Sequence, residues 1–155
     1  MGLEVIVYED LQCGDCAHLR TLLDELMIPS FAGRVLFTHR DFPLPRHDWA
    51  RQAALLAHYF KQFGLDSSWR RDTLAHHKTL SLSEHLYAFA SRHDLDPAAA
   101  LQAMTDPAVE ASLESDISSA RERGVSRTPT LFIGSFVLIE PQHADEITDL
   151  INKSL

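Results

Sequence analysis

The chain has 155 residues, and 14 Lys and Arg against 22 Asp and Glu give it a formal net charge of −8. This length suits one domain with a sizeable apolar core, and 45% apolar with 23% charged residues is an ordinary globular composition, which excludes a disordered chain. The acidic balance disfavours nucleic acid and anionic membranes as partners, and no apolar run approaches the ~20 residues that insert across a bilayer.

The chain opens on a pattern typical of a β-α-β unit. A β-branched apolar strand is predicted at 3–8, and a second strand at 34–40. The helix between them is predicted to start at Cys13, with Leu19, Leu22, Leu23 and Leu26 on one apolar face. Strands joined through a helix in this way normally lie parallel.

No secretory signal peptide precedes the first strand, which begins at Leu3. We therefore expect a cytoplasmic protein or, if an export signal has been removed, a periplasmic or other extracytoplasmic one.

The middle of the chain is predicted to be helical. One helix runs from Trp49 to Phe63, and Ser81 with Glu84 has the spacing of a capping box for another. Asp-Pro pairs at 96–97 and 106–107 place a capping aspartate before a first-turn proline, and the second helix is expected to end at Gly124.

The last thirty residues return to strands. The segments 130–133 and 136–139 flank Gly134 and Ser135, which predicts an antiparallel hairpin. Pro141 is expected to start a final helix. The whole order is β-α-β, a helical block, then β-β-α.

The two cysteines, Cys13 and Cys16, carry the chemical signal. They are too few for a disulfide scaffold or a four-ligand zinc site. At the start of a helix, unpaired N–H groups and the positive end of the dipole stabilise a thiolate on Cys13. Cys16, one turn further on, is placed to attack a mixed disulfide formed by Cys13. Half of a zinc site and two unrelated structural cysteines are the less favoured interpretations, and we expect no metal.

Three segments in this order resemble the thioredoxin superfamily, and within it the disulfide-bond-forming, DsbA-like branch. The first is Tyr8-x-Asp10-x-x-Cys13-x-x-Cys16. The second is Arg40-Asp41-Phe42-Pro43-Leu44-Pro45-x-His47-x-x-Ala50. The third is Gly124-Val125-x-x-Thr128-Pro129-Thr130, which is similar to the cis-proline loop of that branch.

The resemblance implies an α/β, thioredoxin-like fold with an inserted helical domain. Residues 1–45 and 124–155 would form the thioredoxin-like domain, and residues 46–123 the insertion. It further implies that Cys13 is the exposed nucleophile, Cys16 the buried resolving thiol and Pro129 a cis residue packed against them. Thr128 would offer its backbone to an extended substrate chain. The implied activity is disulfide exchange with protein dithiols or disulfides, without a cofactor.

The chain departs from the branch between its cysteines, where Gly14 replaces the usual proline and Asp15 follows. A carboxylate at Asp15 is expected to disfavour the thiolate and so to make the disulfide a weaker oxidant than that of DsbA, unless Arg127 offsets it.

A second departure lies on the first strand. Val7 occupies the place of a buried acid that helps to move protons in the superfamily. Glu9 and Asp10 are expected to face elsewhere, and Asp10 is expected to cap the helix or position the loop rather than shuttle protons.

Two other functions remain open. One is a kappa-type glutathione transferase or isomerase, which would use the same groove but does not need Cys16. The other is a non-catalytic thiol- or metal-binding module. The direction of electron flow and the redox partner, an oxidant or a reductant, are not determined by the sequence.

Overall fold

The computed structural model describes residues 2–155 as one four-stranded sheet flanked by helices. The strands are β1 (Leu3–Glu9), β2 (Val35–Asp41), β3 (Thr130–Ile133) and β4 (Phe136–Ile139), in the order β2-β1-β3-β4. β1 runs parallel to β2 and antiparallel to β3, which pairs in turn with β4. The predicted β-α-β unit and hairpin are therefore confirmed.

The helices between and after the strands follow the predicted order, with one addition. They are α1 (Gly14–Leu22), α2 (Ala50–Lys61), α3 (Asp66–Ala75), α4 (Leu82–Arg92), α5 (Pro97–Ala103), α6 (Pro107–Glu122) and α7 (Ala144–Ser154). The addition is α3, which has no apolar face regular enough to predict it. Within residues 2–155, no helix has the length and apolarity needed to cross a membrane.

The predicted apolar face of the first helix is wrong at Leu26. After α1 the helix continues through a π-helical turn at Leu23–Met27 and a last turn at Ile28–Ser30. A π turn holds more residues than an α turn, so it rotates the face that follows. Met27 consequently packs in the core, whereas Leu26 is 46% exposed.

Helix ends follow local chemistry in some places and not in others. The carboxylates of Asp96 and Asp106 accept hydrogen bonds from the backbone N–H groups of Ala98 and Ala108, as predicted. Ser81 occupies the N-cap of α4, but its side chain makes no capping hydrogen bond.

The predicted start of the last helix at Pro141 is also wrong. α7 begins three residues later, at Ala144, where the carboxylate of Glu146 reaches back and accepts hydrogen bonds from the backbone N–H groups of Gln142 and His143 just before the helix. Pro141 instead lies in the loop between β4 and α7.

The core has two main parts, and α1 contributes residues to both. One face of the sheet packs against the first and last helices, through Val5, Val7, Leu19, Leu131 and Ile147 among others. The second part surrounds the fully buried Trp69 and includes residues of α2 to α5 together with Cys13 and Cys16. The start of α1 thus packs directly against the helical segment; the division at 45/46 and 123/124 stays a prediction.

A buried cluster of charges links β2 to three of these helices. Both terminal nitrogens of Arg70 donate to Asp41 at 2.7 Å. His58 Nε2 lies 2.9 Å from Asp41 Oδ2 and 3.1 Å from Asp116 Oδ2. Asp41, His58 and Asp116 have a spacing suited to a metal, but Arg70 and a protonated His58 already supply the positive charge.

Burial alone would lower the pKa of His58, but hydrogen bonds and charge from Asp116 and Asp41 outweigh it and raise the pKa to about 9. The folded pKa then exceeds the unfolded value of about 6.5, so this stabilisation is complete below pH ~6.5 and is lost as the pH rises toward 9.

We expect His58→Gln to lower the free energy of unfolding by on the order of 2 kcal/mol at pH 6. The difference from the wild type should shrink at pH 9.5, where the wild-type imidazole is neutral. Urea denaturation at both pH values measures this difference in the free energy of unfolding. A difference that does not change with pH would contradict a stabilising role for the protonated His58.

Candidate active site

The fold brings the predicted cysteine pair and proline loop together. Cys13 is the N-cap of α1, and Cys16 lies in the first turn. The Thr128–Pro129 peptide is cis, as the resemblance implied, and leads into β3 beside β1. Cys13 Sγ lies 3.6 Å from the carbonyl oxygen of Thr128, which accepts a hydrogen bond from the thiol form of Cys13.

The helix start makes Cys13 unusually acidic. A hydrogen bond from the Cys16 side chain is the largest cause and lowers the pKa of Cys13. Burial opposes it, and the backbone N–H groups of Cys16 and Asp15 support it, so that the pKa falls to about 6. Near neutral pH Cys13 is therefore mostly a thiolate, the form that acts as a nucleophile.

The pKa of Cys16 is shifted in the opposite direction to that of Cys13. Cys16 is 1% exposed, against 8% for Cys13. Burial, followed by the hydrogen bond and charge of Cys13, raises the pKa of Cys16 well above its ordinary value. Cys13 is itself buried rather than exposed as expected, so the site pairs a slightly exposed thiolate with a fully buried thiol, an arrangement suited to sequential disulfide exchange.

Asp10 positions the loops beneath the cysteines. Its carboxylate accepts hydrogen bonds from the backbone N–H groups of Gln12 and Leu44, both at 2.7 Å, and contacts His47 Nδ1 at 2.8 Å. Its own backbone N–H points at Cys16 Sγ, 3.4 Å away. The side chain makes no cap on α1, so of the two expected roles the structure assigns it the positioning of the loop.

The expectation that Glu9 faces elsewhere is wrong. Strand residues alternate, so Glu9 shares a face with Val7 and lies on the side that α1 covers. It is 2% exposed. Its basic neighbours are Arg20, His39 and Arg70, at 3.1–3.3 Å.

The charge of Glu9 reaches the cysteines without offering them a base. Burial alone would raise the pKa of Glu9, but its basic neighbours outweigh burial and hold that pKa well below its usual range. Its negative charge helps to raise the pKa of Cys16. Glu9 is therefore too weak a base to take a proton from a thiol.

The two residues between the cysteines face outward. The carboxylate of Asp15 is exposed and lies 3.5 Å from the side-chain nitrogen of Gln142. Arg127 does not offset it; it is 68% exposed, with Glu140 at 3.9 Å as its acidic partner. Gly14 lies beside His77, a histidine that nothing in the local sequence marks as a neighbour of the site.

Thr128 contributes one further feature. Its side-chain hydroxyl is buried, and none of the residues 2–155 gives it a hydrogen-bond partner. The backbone of the same residue holds the Cys13 sulfur. Of the polar groups of Thr128, the backbone carbonyl thus borders Cys13.

A family model described as Thioredoxin matches residues 3–153. The chain belongs to the thioredoxin family. Solved structures share the fold over nearly the whole chain.

A variant of alpha-DsbA1 from Wolbachia pipientis, with two cysteines replaced by alanine, superposes with a TM-score of 0.82 at 20% identity, covering 99% of this chain and 85% of that one. The thiol-disulfide exchange protein alpha-DsbA2 from the same organism superposes with a TM-score of 0.76 at 19% identity, covering 97% of this chain and 81% of that one. Oxidised BdbD from Bacillus subtilis superposes with a TM-score of 0.78 at 17% identity, covering 98% of this chain and 86% of that one. These likenesses show a common fold, an α/β thioredoxin fold with helices between its second and third strands.

A curated relative is considerably longer than this member of the thioredoxin family. The Na(+)/H(+) antiporter NhaA of Herminiimonas arsenicoxydans is 27% identical over 152 residues. The match covers 98% of this chain and 24% of the antiporter. The chain therefore spans about a quarter of the length of that relative.

Replacing the buried cysteine tests the origin of the thiolate. We expect Cys16→Ala to raise the pKa of Cys13 by roughly one unit, because it removes the hydrogen bond that contributes most. Cys16→Ser is the matched control, since its hydroxyl keeps a donor at the same place. The pH dependence of iodoacetamide alkylation measures the pKa, and identical profiles for the two variants would argue against this origin.

Proposed function

We propose that the chain is a thiol-disulfide oxidoreductase that exchanges disulfides with protein substrates through Cys13 and Cys16. The observation that carries the proposal is the opposite shift of the two thiol pKa values, which makes Cys13 acidic and keeps the more deeply buried Cys16 protonated. Membership of the thioredoxin family supports it, as does the name of a structurally similar Wolbachia protein, a thiol-disulfide exchange protein.

In the oxidising direction, a substrate thiolate attacks Cys13 Sγ of the disulfide form. The Cys13–Cys16 bond breaks, and Cys16 leaves with the electron pair and takes a proton, which its high pKa favours. A second substrate thiolate then attacks the substrate sulfur, and Cys13 leaves as a thiolate. Two electrons pass from the substrate to the cysteine pair, and the reducing direction is the reverse.

The substrate chain binds beside the cis-proline in this proposal. Thr128 lies immediately before Pro129, and its backbone borders Cys13. An extended peptide that pairs with this backbone would hold its own sulfur against Cys13. Exchange needs no cofactor, and the physiological redox partner is an oxidant or reductant that the site does not specify.

The two alternatives predict different roles for the cysteines. A kappa-type glutathione transferase would use the groove but not Cys16, and an inert thiol- or metal-binding module would use neither cysteine in exchange. The strong coupling between the two thiols favours the oxidoreductase, because Cys16 is the largest single influence on the pKa of Cys13.

The deciding experiment compares the wild type with Cys13→Ser and Cys16→Ser. Insulin reduction and the refolding of a reduced, scrambled protein measure exchange, while thiol titration before and after dithiothreitol measures the redox state. We expect both serine variants to lose at least about a hundredfold in rate. Full activity in Cys16→Ser would favour the glutathione transferase, and redox-silent cysteines in the wild type would refute the proposal.

We also infer a candidate protein partner for this chain. The Herminiimonas antiporter contains a stretch similar to 98% of this chain, which favours a sodium/proton antiporter as a protein that this domain acts on or works beside. Cys16→Ser should accumulate mixed disulfides on Cys13. Recovery of an antiporter polypeptide in these complexes, absent with Cys13→Ser, would support the inference; complexes that lack one would oppose it.

The pKa of Cys13 also predicts the redox poise. At about 6, it falls between the values of about 7 for thioredoxin and about 3.5 for DsbA. We therefore expect a reduction potential between about −270 mV and about −120 mV, the values of those two proteins. Equilibration with glutathione buffers measures it.

Asp15→Asn tests the carboxylate between the cysteines. Because Asp15 is exposed, its repulsion of the thiolate is screened, and removing it should raise the reduction potential by only about 5–20 mV. Glutathione equilibration at low and high salt measures the shift, which should be larger at low salt. A fall in potential would show that Asp15 acts in another way.

A further inference from the structure

A polar cleft lies between strand β2 and the helices α2, α3 and α6. Its volume is about 390 Å³, within the range of small-molecule sites. Its walls include Arg40 of β2, Lys61 at the end of α2, Asp66 at the start of α3 and Ser115 of α6. In the described part of the chain these walls contain neither a cysteine nor the cis-proline loop, so disulfide exchange does not account for the cleft.

Arg40 is a partly buried cation that has no acidic partner among residues 2–155. One of its terminal nitrogens donates to Ser119 Oγ at 2.9 Å and to Tyr8 Oη at 3.2 Å, both of which are neutral groups. The two fully buried arginines, Arg20 and Arg70, bind carboxylates instead. Because a charge held away from bulk water is costly without a counter-charge, the remaining donors of Arg40 are suited to an anion in the cleft.

Lys61 and two serines add further donors to the cleft. Lys61 is exposed, and it forms no ion pair with any of the residues 2–155. Ser112 and Ser115 also line the cleft, and because they are three residues apart on α6 they share one face of that helix. A guanidinium, an ammonium and hydroxyl groups together form a donor set that suits the oxygens of a phosphate.

The cleft is positively charged, although the chain as a whole carries a formal charge of −8. His58 and Arg70 also line it, but both are already paired with buried carboxylates. The charges that remain are those of Arg40 and Lys61 against the carboxylate of Asp66. Because a cleft focuses the field of the charges that line it, this excess of positive charge attracts an anion that the rest of the surface would repel.

We propose that this cleft binds a phosphate group, as free phosphate or on a small organic molecule, through Arg40, Lys61 and the serines of α6. A phosphate monoester carries between about 1.5 and 2 negative charges at pH 7 and three strong acceptor oxygens. It therefore matches two unpaired cations better than a carboxylate, which carries a single charge. The proposal goes beyond the exchange reaction and does not depend on it.

Calorimetric titration at constant ionic strength tests the proposal, with inorganic phosphate and glycerol 3-phosphate as the two ligands. We expect the wild type to bind at least one of them with a dissociation constant of about 1 mM or below. Arg40→Gln should weaken binding about tenfold, because it removes charge-assisted hydrogen bonds. Lys61→Gln should weaken it about threefold, since Lys61 is exposed, and Asp66→Asn should strengthen it about threefold by removing a like charge.

Two control variants remove the same charges elsewhere. Arg34→Gln and Lys153→Gln change exposed residues outside the cleft, so both should bind phosphate like the wild type. If Arg40→Gln fails to fold, as circular dichroism would show, the opposite effects of Lys61→Gln and Asp66→Asn still decide the matter. No saturable binding of either ligand by the wild type, or equal weakening in the control variants, would overturn the proposal.

The two ligands also distinguish the source of the phosphate. Glycerol 3-phosphate that binds at least about tenfold more tightly than inorganic phosphate would support an organic phosphate, and equal or weaker binding would support the free ion. Cys13→Ser separates the cleft from the cysteine site, because it should abolish disulfide exchange and leave phosphate binding unchanged. Loss of phosphate binding in Cys13→Ser would place the anion at the start of α1 and overturn the proposal.

Discussion

The hydrogen bond from the Cys16 side chain to the Cys13 sulfur governs the chemistry of this site. It is the largest cause of the low pKa of Cys13, and the same contact helps to raise the pKa of Cys16. The bond requires a buried donor and a less buried acceptor one helical turn apart, which is why Cys13 must cap α1 while Cys16 lies inside it. Any movement of α1 would alter both thiols together, so the packing around α1 is part of the redox chemistry.

The buried charges beneath the sheet hold α1 in that position. Arg20 projects from α1 to Glu9 on β1, and Glu9 is shared with Arg70 on α3, which binds Asp41 on β2. A chain of ion pairs therefore connects the cysteine helix, the sheet and the helical segment. Breaking one link would leave a buried charge unpaired, which is costly, so these contacts fix one arrangement of the two parts of the core.

Local motifs made the cysteines and the element order predictable, because each depends on a few neighbouring residues, whereas the cis form of Pro129 was implied only by the resemblance to the DsbA-like branch. The orientation of Glu9 was also predictable, because strand alternation alone places its side chain on the same face as that of Val7. Other features depend on contacts that no local pattern contains. Leu26 is exposed because of a π turn, and Arg70 is buried because it forms ion pairs with Asp41 and Glu9, which lie far from it in the sequence. His77 lies beside Gly14 only because α3 packs on α1, and no local sequence pattern around either residue predicts that contact.

Packing alone does not explain the glycine between the cysteines. A Cβ atom on Gly14 would lie 3.4 Å from His77 Nε2, which is an ordinary van der Waals contact, so a small side chain would fit there. The pKa of Cys13 is lowered by the hydrogen bond from Cys16 and by the backbone N–H groups of Cys16 and Asp15. The acidity of the site therefore depends on the start of α1, whose backbone these N–H groups belong to, and on the packing that keeps Cys16 buried beside Cys13.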